Sequence, residues 1–119
     1  MATPHDDVRA LLPLPPATFH IMVALSGDDL HGYAIIQDVA ARTGGALKLS
    51  AGTLYRSIAR MVEQGLITET TRRRTAEDDE RRRYYRITPF GRAVARAEMR
   101  RLTDLVRLAR ASGLTPAPS

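Results

Sequence analysis

The sequence predicts a mainly α-helical protein that contains one small β-hairpin. The first observation is a helix over residues 51–64 with one apolar face and one polar face. The second is a pair of strands, near residues 67–73 and 82–88, that carry clusters of arginine. A capped helix followed by a basic hairpin is typical of a winged helix-turn-helix. A long final helix follows the hairpin, and we interpret it as a dimerisation helix.

Composition and turn signals divide the chain into four segments. Residues 1–13 show little hydrophobic periodicity, so we expect a flexible arm there. Residues 14–88 contain the predicted winged-helix domain, and residues 89–112 contain the C-terminal dimerisation helix. The remaining residues, 113–119, are expected to form a flexible tail.

Proline, glycine and apolar spacing predict the elements of the first half. Prolines at positions 13, 15 and 16 delay the first helix, which we expect over about residues 16–26. A second helix over about residues 32–43 ends at a pair of glycines. The alternating segment Leu47-Lys48-Leu49 then predicts a short strand.

The third and final helices have clear boundary signals. Ser50 is a good N-cap, because its hydroxyl can accept from a free N–H group of the first turn. Gly65 suits the position after the helix, because glycine adopts the left-handed conformation without a Cβ penalty. Thr88 and Pro89 similarly predict the start of the final helix, which extends to about Ala111. The predicted buried stripe of the third helix consists of Leu54, Ile58, Met61 and Val62.

The final helix carries a regular apolar seam. Successive spacings of four, three, four and three residues, typical of a coiled coil, separate Ala95, Met99, Leu102, Val106 and Ala109, and Leu105 widens this stripe. The predicted dimerisation residues are Ala95, Met99, Leu102, Leu105, Val106 and Ala109. A core helix that folds back on the domain would also carry apolar residues, but so regular a seam favours a second copy of the chain.

Basic charge is concentrated in the second half of the chain. The chain has 119 residues and a formal net charge of +5. Residues 1–71 hold five basic and seven acidic side chains, whereas residues 72–119 hold thirteen basic and six acidic ones. This distribution favours a polyanionic partner such as double-stranded DNA. Arginines that only keep the surface soluble would give the same distribution.

Composition argues against several other classes of protein. The absence of cysteine excludes disulfides and thiolate metal sites and fits a cytoplasmic location. No apolar run approaches the roughly 20 residues of a membrane span, so we expect no membrane contact. The three histidines, His5, His20 and His31, share no ligand spacing, and no nucleophile–base pair is present. We therefore expect no metal, no cofactor and no enzymatic activity.

The polar face of the third helix is the predicted DNA-reading surface. Gly52 lets the backbone approach a duplex closely, while Arg56 and Arg60 lie one turn apart and can each bind guanine through O6 and N7. Tyr55 is equally suited to a phosphate contact or to packing beside the first helix. The predicted contacts are Ser50, Gly52, Thr53, Tyr55, Arg56, Ser57 and Arg60.

The hairpin supplies the predicted wing. Its predicted DNA contacts are Arg72, Arg73, Arg74, Arg82, Arg83 and Tyr84. Arginines at these positions can follow phosphates or enter a narrow minor groove. Residues 77–80 are all acidic, so we expect this tip to point away from DNA or to fold back on the arginines. Tyr85 and Ile87 are expected in the core.

Several motifs occur in an order that resembles the PadR-like transcriptional regulators. They are Leu30-His31-Gly32-Tyr33-Ala34-Ile35-Ile36, Thr43-Gly44-Gly45, Gly52-Thr53-Leu54-Tyr55, Gln64-Gly65-Leu66-Ile67, Arg83-Tyr84-Tyr85-Arg86-Ile87-Thr88 and Gly91-Arg92. The resemblance extends from about Leu14 to Arg110. Ala51 is a departure, since many members have proline there. The absence of tryptophan is another, since some compact members stack flat drugs on an aromatic residue of the terminal helix, where this chain has only Phe90.

The resemblance implies the compact branch of the family, in which a single C-terminal helix forms the homodimer. Such proteins bind inverted-repeat operators, usually as repressors, and the sequence does not specify whether a small-molecule effector exists. The alternative is a winged-helix module that grips an acidic protein without specific DNA binding. The polar third helix favours DNA, because a protein-docking helix would expose apolar anchors there.

Overall fold

Helices and a small sheet enclose one hydrophobic core. The computed structural model describes residues 4–70 and 83–115. Its elements are α1 (Pro4–Ala10), α2 (Pro16–Leu25), β1 (Leu30–His31), α3 (Gly32–Arg42), α4 (Ala51–Glu63), β2 (Ile67–Thr70), β3 (Tyr84–Ile87) and α5 (Pro89–Ala111). The predicted mainly helical architecture with a hairpin and a long final helix is therefore confirmed. The third predicted helix is α4.

The core draws side chains from each helix of the domain and from the sheet. Ile21 of α2, Ile35 of α3 and Leu54 of α4 are fully enclosed. Ile67 of β2 and Val94 of α5 close the core from the other side. Burying each such side chain contributes about 1.5–3 kcal/mol, so the apolar stripes of the helices account for their arrangement.

Both predicted boundaries of α4 are confirmed. The hydroxyl of Ser50 accepts a hydrogen bond from the backbone N–H of Thr53 at 3.1 Å, which satisfies a free donor of the first turn. Gly65 follows the helix with a φ of +78°, a conformation that favours glycine. Leu54, Ile58 and Met61 are buried as predicted, but Val62 lies at the edge of the stripe and is exposed.

The first strand lies elsewhere than predicted. Residues 47–49 form no strand, because the hydroxyl of Thr43 accepts from the backbone N–H of Leu47 at 3.0 Å and ties this segment to the end of α3. The third strand of the sheet is instead β1, which pairs antiparallel with β3. Since β2 pairs with the other side of β3, the sheet order is β1-β3-β2. Pairing with β1 thus covers the edge of β3 that the hairpin leaves free.

The N-terminal segment is more regular than predicted. Residues 4–10 form α1, which packs against α5, and Val8 contacts the edge of the core. The expected flexible arm over residues 1–13 is therefore wrong for α1, because α5 supplies an apolar surface that the local sequence does not reveal. Residues 1–3 and 116–119, which belong to the predicted arm and tail, lie outside the described residues.

A buried carboxylate joins α5 to the segment that precedes α2. Glu98 is only 2% exposed, and its Oε2 accepts from the backbone N–H of Leu14 at 2.9 Å. The carboxylate also pairs with Arg101, and this hydrogen bond lowers the pKa of Glu98 although burial acts in the opposite direction. Our sequence interpretation missed Glu98, because one glutamate on an arginine-rich helix has the pattern of a surface residue.

We expect Glu98→Gln to destabilise the fold by about 1–3 kcal/mol near neutral pH. Folding lowers the pKa of Glu98, so its contribution is fully present above the ordinary glutamate pKa and is lost as the pH falls through the folded-state pKa. Urea unfolding measured between about pH 7 and about pH 3 should therefore show the two proteins converging in stability as the pH falls. The control is Asp104→Asn, which removes an exposed pair with Arg107 and should cost less than about 1 kcal/mol. Equal losses in both variants would contradict the role of Glu98.

Candidate nucleic-acid interface

α4 lies at the surface between α3 on one flank and α2 on the other. On the α3 flank, the hydroxyl of Tyr55 lies over Gly32, where an added Cβ would be 2.5 Å from it. On the α2 flank, Ser57 and Arg60 line a cavity that they share with Thr18. The face between these flanks is open to solvent, and it carries Gly52, Arg56, Ala59 and Glu63. This face is polar and its small residues let the helix backbone approach a partner closely.

The side chain of Arg56 lies over Gly52 at the beginning of the open face. A Cβ added to Gly52 would lie 3.2 Å from the nearest guanidinium nitrogen of Arg56. The missing side chain therefore makes room for the guanidinium group, and both residues are exposed. This arrangement presents a planar cation beside a bare stretch of helix backbone, which suits contact with a base edge at close range.

Three other residues of α4 and its N-cap that we predicted to contact DNA also have structural contacts within the protein. The hydroxyl of Ser50 accepts from the Thr53 N–H and donates to the Thr53 hydroxyl at 3.1 Å, so it already serves the first turn. Ser57 is half-buried on the α2 flank. Tyr55 packs at the start of α3 and not beside α2, and its ring remains 52% exposed. A phosphate contact from Tyr55 stays a prediction.

The wing is described in part. Arg83 is exposed at the start of β3, and its Nε lies 3.5 Å from Glu69 Oε1 on β2. Tyr84, in contrast, is 5% exposed and packs edge-to-face on His31, with 5.5 Å between ring centroids. The prediction that Tyr84 contacts DNA is therefore wrong, because β1 pairs beside it and covers its ring. The other predicted wing contacts, which lie outside the described residues, are Arg72, Arg73, Arg74 and Arg82.

The two halves of α5 have different environments. Gly91, Val94 and Glu98 in the first half are buried against the domain. The predicted dimerisation side chains that are exposed are Met99, Leu102, Leu105 and Val106, while Ala95 and Ala109 are half-buried. The core-helix alternative therefore describes only the first half of α5. The second half carries an apolar surface that is uncovered in the single chain.

His31 has a structural position. Its Nδ1 accepts from the backbone N–H of Ala34 at 3.2 Å and so caps α3. Within the described ranges, no group of three metal-ligating side chains is close enough to hold an ion. No helix in that part of the chain is long and apolar enough to span a membrane.

Comparisons with known proteins identify the family of this chain. The family model described as "Transcriptional regulator PadR-like family" matches residues 21–97, from α2 into the first half of α5. The chain belongs to the PadR-like family. This confirms the resemblance drawn from the motifs, and it confirms the prediction of a regulator that is not an enzyme, because PadR-like proteins are transcriptional regulators. Among curated proteins, none matches the chain significantly.

Several solved structures share the fold of this chain. A transcriptional regulator from Clostridium thermocellum is 22% identical with a TM-score of 0.69, over 93% of this chain and 96% of that chain. A PadR family transcription regulator from Clostridium difficile R20291 is also 22% identical with a TM-score of 0.69, and the match covers 82% of this chain and 97% of that chain. Bacillus subtilis PadR, solved in complex with operator DNA, is 20% identical with a TM-score of 0.56. That match covers 90% of this chain and 52% of that chain. The predicted winged-helix fold is confirmed by these likenesses.

Proposed function

We propose that this PadR-like regulator binds an inverted-repeat operator as a homodimer and represses transcription there. α4 lies in the major groove, and the wing contacts the backbone or the minor groove. The observation that carries the proposal is the open face of α4, where Arg56 lies beside the bare backbone of Gly52. The B. subtilis relative solved with operator DNA supports the same use of the fold.

The shape of α4 fits this role. The helix has 13 residues, and the major groove is about 12 Å wide, which admits one α-helix. Ala59 continues the line of small residues one turn after Arg56, so the open face has no large apolar side chain. The large exposed apolar residues of α4 are Tyr55, which packs on the α3 flank, and Val62, which lies seven residues later on the same side of the helix. The open face thus lacks the apolar anchors of a protein-docking helix, which argues against the acidic-partner alternative.

A homodimer explains the exposed half of α5. A contiguous apolar surface of this kind is unfavourable in water unless a partner covers it. A two-fold interface would pair the seam with itself and would relate the two copies of α4 by the same axis. Two copies of α4 about 34 Å apart would then reach successive major grooves of an inverted repeat.

We expect Arg56→Ala to weaken operator binding by about 1–3 kcal/mol, because one guanidinium contact to a base is lost. Binding to a random duplex should change much less, since a base contact contributes to specificity. The measurement is a gel-shift titration on the operator, which genome-wide mapping of bound fragments would identify. Arg107→Ala, which removes an exposed arginine of α5, should leave affinity unchanged. Wild-type affinity in Arg56→Ala would remove this side chain from the reading surface.

A further inference from the structure

We propose that the N-terminus of α2, Thr18 and the adjoining flank of α4 form a binding site for one phosphate of the DNA backbone. The proposal rests on the proposed function and deepens it, because it names a ligand group and the residues that hold it. Nothing in the predicted reading surface included α2. The site would consist of Thr18, the free N–H groups beside it, and the arginines on the neighbouring flank of α4.

Thr18 carries a hydroxyl group in a buried position. The residue is 4% exposed, and no hydrogen bond joins its hydroxyl to another described residue. In the described part of the chain, no buried side-chain nitrogen or oxygen is both sealed from solvent and unpartnered. The Thr18 hydroxyl therefore opens into the cavity that this residue lines. A hydroxyl that reaches the cavity without a protein partner can donate to an anionic oxygen bound there.

The beginning of α2 adds two further donors. Pro15 is the N-cap and provides no side-chain hydrogen bond, and Pro16 has no N–H group. The backbone N–H groups of Ala17 and Thr18 consequently have no acceptor within the helix. They stand at the positive end of a ten-residue helix, where an anion is stabilised. The Thr18 hydroxyl and these two N–H groups belong to the same turn.

The opposite wall of the cavity supplies positive charge. The cavity has a volume of about 300 Å³, and it is lined by Pro15, Thr18, Arg56, Ser57 and Arg60. Two of these five residues are exposed arginines, and none is acidic. Arg60 lies three residues after Ser57, so both project from the same flank of α4 toward α2. The cavity therefore places two arginines beside Thr18 and Ser57, and it adjoins the beginning of α2, so cations and hydroxyl donors are available to an anionic oxygen there.

The position of the cavity indicates the source of the phosphate. When α4 lies in a major groove, the two sugar–phosphate strands follow its flanks on either side. The N-terminus of α2 adjoins one flank of α4, so it meets one of these strands. A phosphodiester oxygen that accepts from Thr18 and Arg60 would fix how deeply α4 enters the groove. Such a contact positions the protein without reading sequence.

The test compares Thr18→Val with Thr18→Ser in the full chain. Valine keeps the volume and removes the hydroxyl, so we expect affinity for a random duplex of about 24 base pairs to fall about tenfold at about 100 mM salt. Affinity for operator DNA should fall by the same factor. Serine keeps the hydroxyl and should stay within about twofold of wild type. The melting temperature of Thr18→Val should stay close to that of wild type, because valine keeps the volume and no hydrogen bond within the described part of the protein is lost.

The possible outcomes separate this proposal from the proposed function. Fluorescence anisotropy that shows equal duplex affinity for wild type and Thr18→Val would overturn the phosphate site and leave the proposed function intact. A loss confined to operator DNA, or one accompanied by a lower melting temperature, would also overturn the phosphate site. A wild-type protein that binds no duplex would overturn both proposals.

Discussion

Gly91→Ala is expected to destabilise the fold by about 3 kcal/mol or more, because the added methyl group has no room. A Cβ at position 91 would lie 2.0 Å from the backbone oxygen of Leu66 and 2.9 Å from a side-chain carbon of Ile87. The Leu66 oxygen cannot easily move away, because it accepts hydrogen bonds from the N–H and the hydroxyl of Thr88 at 3.0 Å. The start of α5 would have to separate from the sheet.

Urea unfolding of wild type and Gly91→Ala measures this effect directly. The matched control is Gly27→Ala, because a Cβ at Gly27 meets nothing within 4 Å and the residue has no positive φ. We expect the control to change the free energy of unfolding by less than about 0.5 kcal/mol. If Gly91→Ala were as stable as the control, the close approach of α5 to the Leu66 carbonyl would be wrong.

Leu102→Asp is expected to convert a dimer into a monomer. If the seam of α5 pairs with a second copy, the aspartate would be buried there without a partner, at a cost of several kcal/mol. Leu102 is 37% exposed in the single chain, so an isolated protomer tolerates the charge. Operator affinity should be lost although every proposed DNA contact remains, because a monomer reaches only one half-site.

Sedimentation at micromolar concentration, combined with operator titration, decides this prediction. Leu108→Asp is the matched control, since Leu108 is 65% exposed on the same helix and is not among the predicted dimerisation residues. We expect Leu108→Asp to remain dimeric and to bind the operator. A wild-type monomer would contradict the homodimer, and so would a dimeric Leu102→Asp that still binds the inverted repeat.

The features that were correctly predicted from the sequence are those that depend on near neighbours along the chain. Ser50 caps α4 by bonding a residue three positions later, and Thr88 caps α5 in the same way through the N–H of Gly91. Gly65 ends α4 through its own backbone conformation. Such interactions act within one turn of helix, so the residue types and their spacing are sufficient to predict them.

The features that were missed depend on partners far along the chain. β1 forms because residues 30–31 lie beside β3, more than fifty positions later, and the same pairing buries Tyr84. α1 packs on α5, and Glu98 is buried because it bonds the backbone of Leu14. No local pattern distinguishes these residues from surface residues, since their burial is produced by elements that the chain brings together only on folding.

The same distinction between local and long-range contacts applies to the candidate DNA-binding site. The sequence by itself determined the family, the polar face of α4 and the apolar seam of α5, because helical periodicity places those side chains whatever surrounds them. Only the tertiary structure decided that Thr18 lines a cavity with Arg60 and that Tyr55 packs on α3. The physical reason is that helix packing sets which flanks of α4 are covered, and packing depends on contacts between distant segments.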